Sequence, residues 1–160
     1  MGRGKRRRKY IQKKKRMEKA KKGKLVRFDL QNSSRKYAGF KDKYCYQTNI
    51  HRLIYKDAKF QNVRYQASII TNCNYRNASL KGVDFCNSNL KNTTFKGAYF
   101  ENVIFVNCNL KGTDFTDAKF KNVYFITTNT QVAKGIDIEK VSILNKYPKD
   151  LQLVYCTVDI

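Results

Sequence analysis

The residues best suited to chemistry in this 160-residue chain are cationic, and they crowd at one end. Residues 1–24 hold 14 Lys and Arg against one acid, Glu18. Guanidinium and ammonium groups at that density neutralise phosphates and release their counterions. Arg6, Arg7, Arg8, Lys9, Lys13, Lys14, Lys15 and Arg16 are the candidate nucleic-acid contacts. An anionic membrane surface, a nuclear-localisation-like run and a solubilising tail are competing readings of the same composition. Like-charge repulsion predicts disorder for this arm in isolation. A helix over about Lys5–Lys22 is the alternative, because Lys, Arg, Gln, Met and Ala favour it.

Little else in the chain points to chemistry. His51 is the single histidine and falls at an outward position with no evident partner. The acids are scattered, and no P-loop, Ser/His/Asp set, metal-ligand cluster or dinucleotide fingerprint occurs. The expectation is therefore a protein that is not an enzyme, with no cofactor, no metal and no small-molecule substrate. The five cysteines include no CxxC pair. Cys73 and Cys108 fit as small inward filler, Cys86 faces outward, and Cys156 lies in the terminal segment. That usage suits a reducing compartment, so the expected location is cytoplasmic. No apolar run is long enough to span a bilayer, and no signal-peptide core is present. Gly2 invites myristoylation, but Arg6 stands where that motif needs Ser or Thr.

The elements that must position these groups follow one rhythm. From Lys56 to Phe125 the chain reads in blocks of five without insertion: KDAKF, QNVRY, QASII, TNCNY and so on to KNVYF. The fifth residue is always large and apolar or aromatic, from Phe60 and Tyr65 to Phe120 and Phe125. The third is small or medium, and the second is mostly Asn, Gly or Asp. A period of five matches neither a helix nor a plain strand. It suits a short extended step followed by a corner, with the third and fifth residues inward. A longer period lies on top. Ala58, Ala78, Ala98 and Ala118 recur at twenty residues, as do Val63, Val83, Val103 and Val123. Four blocks thus make one four-sided coil, and like residues stack at about 4.8 Å.

These fourteen consecutive blocks resemble the pentapeptide-repeat family, whose pattern is roughly A-(D/N)-L-x-x. The resemblance implies an all-β, right-handed, four-sided β-helix. It covers Lys56–Phe125 and, more loosely, residues from about Phe28. Some members of that family look like duplex DNA and bind gyrase. That mimicry needs a strongly negative surface, so the net charge of +22 places it last.

The resulting division is an arm over 1–24, an irregular first coil and N-terminal cap over 25–55, the repeats over 56–125, and a C-terminal cap over 126–160. In the first coil KDKYC breaks the rule with Lys43 at an inward place, and QNSSR does so with Arg35, which predicts distortion. Near the other end, Asp137–Asn145 reads as a short helix before Pro148, and LQLVYCTV alternates like a strand.

Two surfaces stand out on the rod. Lys36, Lys56, Arg76 and Lys96 form a basic column at the first position of the Ala blocks, with Lys81, Lys121, Lys91 and Lys111 in neighbouring columns. Such a stripe follows a phosphate backbone or is a solvated face. Ile104, Val106, Tyr124 and Ile126 stack as an apolar patch, which is either a partner or homodimer contact or is covered by the C-terminal segment. The expected function is nucleic-acid or ribonucleoprotein association through the arm, with Lys56, Arg76 and Lys96 as accessory contacts. A protein-interaction scaffold using the solenoid surface is the alternative.

Overall fold

A computed structural model describes residues 39–146. Nine strands follow in chain order: β1 (Gly39–Tyr46), β2 (Asn49–His51), β3 (Lys59–Gln66), β4 (Ile69–Thr71), β5 (Ser79–Lys81), β6 (Asp84–Cys86), β7 (Tyr99–Val106), β8 (Lys119–Ile126) and β9 (Ser142–Leu144). Every pairing is parallel, and β1 to β8 pair with an offset of twenty residues, as in Phe40↔Phe60, Leu80↔Phe100 and Phe105↔Phe125. The main sheet runs β1-β3-β5-β7-β8-β9, with β6 joining β3 and β7, while β2 and β4 form a second sheet. Single bridges Ile54↔Asn74↔Thr94↔Asp114↔Lys134 carry the same register down a further side. This is the β-helical solenoid that the repeats predict.

The corners explain the sequence. Every fifth residue from Asp42 to Thr127 has positive φ, between 47° and 69°. Asn, Asp and Gly tolerate this left-handed region best, and they occupy all but four of these places. Gln47, Arg52, Ala67 and Thr127 are the exceptions. Because each corner sits at the second position of a block, one flat side consists of a block's last three residues and the first residue of the next.

The core is a column of side chains inside the coils. Phe60, Leu80, Phe85, Phe95, Phe100, Phe105, Phe115 and Phe125 are all at most 1 % exposed. Tyr65, Phe85, Phe105 and Phe125 stack face to face from coil to coil, with centroids 5.3, 5.0 and 4.7 Å apart. Offset stacking of this kind adds to the burial itself.

Both ends depart from expectation. Lys43 lies directly opposite Val63, yet β1 keeps its full register. The lysine does not distort the coil because it remains exposed at the end of the described tube. At the other end, Asp137–Asn145 forms no helix. Asp137 instead makes a tight turn, accepting from Glu139 N through Oδ1 (3.2 Å) and from Lys140 N through its carbonyl (3.1 Å). β9 follows and covers the edge of β8, pairing Tyr124↔Ser142 and Ile126↔Leu144. Its offset is eighteen residues, where Asp114↔Lys134 still keeps twenty, so the last coil is two residues short. Arg35 and LQLVYCTV lie outside the described residues.

Candidate nucleic-acid interface

Two groups of side chains line the inside before any surface is reached. On two sides of the coil the inward third residue is a hydroxyl or thiol that serves the backbone. Ser68 Oγ accepts from Thr48 N (3.2 Å) and donates to Cys45 O (3.1 Å), and Ser88 Oγ accepts from Ser68 N in turn. Cys108 Sγ donates to Phe85 O at 3.2 Å, and Cys73 Sγ to Thr71 O at 3.4 Å. The two cysteines are therefore hydrogen-bonding members of a ladder as well as small filler. Burial pushes the Cys73 thiol up to about 11 and the Cys108 thiol up to about 12. Cys45, Cys73 and Cys108 are free thiols, whereas Cys86 is disulfide-bonded, a departure from the expectation of reduced cysteines.

Outside, the Lys56–Arg76–Lys96 column does not lie on the side that carries the alanines. The corners at Asp57, Asn77 and Gly97 follow directly after these residues. The column therefore closes the preceding side, beyond the bridged residues Ile54, Asn74 and Thr94. Those bridged side chains fix the backbone beneath it: Arg76 N donates to Asn74 Oδ1 (3.0 Å) and Lys96 N to Thr94 Oγ1 (3.4 Å). Arg76 and Lys96 are exposed and Lys56 is half-buried. None of the three has an ion-pair partner among the described residues. The column stops at Thr116, which donates to Asp114 Oδ1 from its amide (2.9 Å) and its hydroxyl (2.5 Å). Those two donors, with the nearby Lys134 and Lys96 charges, hold the Asp114 carboxyl below the usual range.

The alanine side itself presents a group that the sequence reading missed. Tyr99 stands between Ser79 and Lys119 in the strand register, and Glu101 between Lys81 and Lys121. Glu101 accepts from Lys121 Nζ at 2.8 Å and pairs with Lys81 Nζ at 3.1 Å. These two contacts hold its carboxyl down to about 2. Lys81 Nζ also lies 5.6 Å from the centroid of the Tyr99 ring. The signal was available in the sequence: Tyr99 occupies an outward fourth position, with Lys59 and Lys119 at the same place in other coils.

The apolar patch is corrected. Val106 and Ile126 are fully buried. With Cys86 they form a second small core on the outer surface of the tube, against which Ile104, Tyr124 and Leu144 pack. Val106 and Ile126 are therefore not an exposed contact surface, and Leu144 of β9 packs against their cluster. Arg6, Arg7, Arg8, Lys9, Lys13, Lys14, Lys15, Arg16 and Lys36 lie outside the described residues. His51 sits half-buried with Nδ1 2.9 Å from Thr71 Oγ1, and no metal-binding group of side chains occurs among the described residues. Among the described residues the acids do not gather into a negative stripe. Asp84 pairs with Arg64 at 3.1 Å, Glu101 with two lysines, and Asp57 and Asp117 stand at corners.

Comparison with known proteins agrees with this geometry. Residues 68–145 match the family model for the pentapeptide repeat region. No curated protein matches the chain in sequence. Among solved structures, the chain is similar to a pentapeptide-repeat protein, Rfr23, from the cyanobacterium Cyanothece 51142. The identity is 10 %, the match covers 69 % of this chain and 87 % of that one, and the TM-score is 0.47. HetL, involved in heterocyst differentiation regulation in the cyanobacterium Nostoc sp. strain PCC 7120, matches at 11 % identity, over 57 % of this chain and 48 % of that one, with a TM-score of 0.32. QnrB1, a plasmid-mediated fluoroquinolone resistance protein, matches at 15 % identity over 71 % and 83 %, with a TM-score of 0.31. Five-residue corners, a twenty-residue coil register and the matched residues 68–145 together identify a pentapeptide repeat region in this chain.

Proposed function

We propose that this chain is a non-enzymatic binding rod that associates with nucleic acid or ribonucleoprotein. The arm residues Arg6–Lys9 and Lys13–Arg16 are the principal contacts, and Lys56, Arg76 and Lys96 are accessory. The observation that carries this reading is the stacked cationic column, which no acid among the described residues pairs with. Stacking at about 4.8 Å per coil places successive charges close enough to follow a phosphate backbone. Composition supports it: residues 39–146 carry 16 Lys and Arg against 8 Asp and Glu, in addition to the arm.

The test is binding of the full chain to a labelled RNA and a labelled DNA duplex, beside a variant with the two arm runs changed to glutamine. Affinity falls about 10³-fold or more between about 50 and about 200 mM salt, and the arm variant loses most of it. Absence of binding at physiological salt, or binding that ignores salt, overturns the reading.

A further inference from the structure

The same reading leaves open which form of nucleic acid the rod takes, and the alanine side speaks to that. We propose that this side is a binding face for single-stranded nucleic acid. Tyr99 takes an unstacked base, and Lys59, Lys81, Lys119 and Lys121 take the flanking phosphates. The inference rests on the nucleic-acid reading and adds to it a surface and a strand class.

This side differs from the other three in composition. β1, β3, β5, β7 and β8 cross it in unbroken twenty-residue register, so it is a flat sheet surface. Its outward positions hold Lys41, Lys59, Lys81, Lys119 and Lys121, a single acid, one aromatic ring and no aliphatic side chain. The next side is apolar at its C-terminal end, where Cys86, Val106 and Ile126 are buried together. Tyr99 is half-buried while its inward neighbours Ala98 and Phe100 are fully buried, so the ring belongs to the outer surface. The Lys81 ammonium lies 5.6 Å from its centroid on a side chain that is 54 % exposed, so the ring is within reach of a charged group approaching from solvent.

Glu101 gives the cluster its shape. It ties Lys81 and Lys121 to one carboxylate in the strand beside Tyr99, which holds two cations near the ring. The group keeps a positive excess, because Lys59 and Lys119 have no ion-pair partner among the described residues. Cations beside an outward aromatic ring are what single strands require: phosphates meet ammonium groups, and a base stacks on the ring. A duplex keeps its bases paired inside and offers nothing for Tyr99 to stack on.

The experiment compares the full chain with Tyr99→Ala, Tyr99→Phe and the double variant Lys119→Gln/Lys121→Gln. The probes are a labelled oligouridine of about 15 nucleotides and an RNA duplex of the same length, titrated across the salt range. The wild type is expected to prefer the oligouridine. Tyr99→Ala weakens that binding about tenfold at unchanged salt slope and leaves the duplex alone, while Tyr99→Phe retains it. The double lysine variant lowers the salt slope by about one per charge removed. Oligouridine binding that is equal in wild type and Tyr99→Ala overturns the face. If arm neutralisation abolishes that binding, the nucleic-acid reading survives without it. If the wild type binds neither probe at physiological salt, both fall together. Unfolding midpoints of all variants separate lost contact from lost fold.

Discussion

Single side chains inside the coil decide how the protein answers to pH and to conservative substitution. Tyr75 is fully buried, and among the described residues its hydroxyl meets only the equally buried Tyr65 phenol, without a well-formed hydrogen bond. It packs between Tyr55 and Phe95, with centroids 4.9 and 5.0 Å away, and phenylalanine already fills the equivalent place in the next two coils. A buried hydroxyl without a hydrogen bond destabilises. Tyr75→Phe is therefore expected to raise stability by about 1 kcal/mol, read as a higher urea midpoint at unchanged slope. A lower midpoint would mean that the two phenols hydrogen-bond after all. The thiols set a second response. Burial raises Cys45 and Cys73 to about 11 and Cys108 to about 12, from an ordinary 9.0. Between those values the unfolded chain releases protons that the folded chain keeps, so stability falls as pH rises. The contribution is whole below pH 9.0 and is lost as pH climbs through about 11 to 12. Urea midpoints measured from neutral to strongly alkaline pH should decline beyond that lower value. In Cys73→Ser/Cys108→Ser the decline should be shallower, because serine keeps the ladder and does not titrate there. An equal decline in both proteins would place the sensitivity elsewhere, first in the buried phenols of Tyr65 and Tyr75, whose acidity burial also suppresses.

At the scale of the element, corners and cap carry the strain. Thr127 holds φ at 47°, a region poorly suited to a β-branched residue, and its side chain is exposed. Thr127→Asn is expected to stabilise by about 1 kcal/mol, visible as a higher melting midpoint, because asparagine tolerates the left-handed corner. Gly135 is the opposite case. Its φ is 77°, and a Cβ there would meet Thr116 N at 2.5 Å and Phe115 C at 2.8 Å. Both neighbours are backbone and neither can swing aside. Gly135→Ala should cost more than about 2 kcal/mol and loosen the short last coil. These features divide what the sequence reveals from what it conceals. Asn77 and Gly97 announce corners through their own chemistry, and the five-residue spacing carries the inward set from Phe60 to Phe125. Gly135 breaks that spacing, so the eighteen-residue register of β9 has no local signature. The packing of Leu144 against Val106 and Ile126 is likewise a matter of where a later segment runs, which no periodicity encodes. The sidedness of Lys56, Arg76 and Lys96 depended on which residue of the block turns the corner, a backbone fact that the block notation hides.

At the scale of the molecule the solenoid is nearly one-dimensional, since each coil pairs with the coil before it and the coil after it. Stability should then vary along the axis and not be shared evenly. β5, β6 and β7 have neighbours on both edges and the fully buried Leu80, Phe85, Phe100 and Phe105 beneath them. β1 keeps its register but holds Lys43 and other residues in solvent, and β9 is three residues long with two of them exposed. Amide exchange is therefore expected to be slowest from Ser79 to Val106 and to quicken toward both ends of the described coils. Gly135→Ala supplies the perturbation that tests the idea. The damage is done where the last coil meets Phe115 and Thr116, so β8 and β9 should exchange faster, β7 less so, and β3 at its original rate. Exchange that rose equally in β3 and β8 would show that the rod opens as one cooperative unit. A graded response would instead confine the consequence to the end that holds Ile126 and Leu144. The Tyr99 face sits between the two regimes: β7 holds the tyrosine in the protected centre, while β8 holds Lys119 and Lys121 nearer the loosened end. In Gly135→Ala the ring should therefore keep its position while the lysines beside it lose theirs.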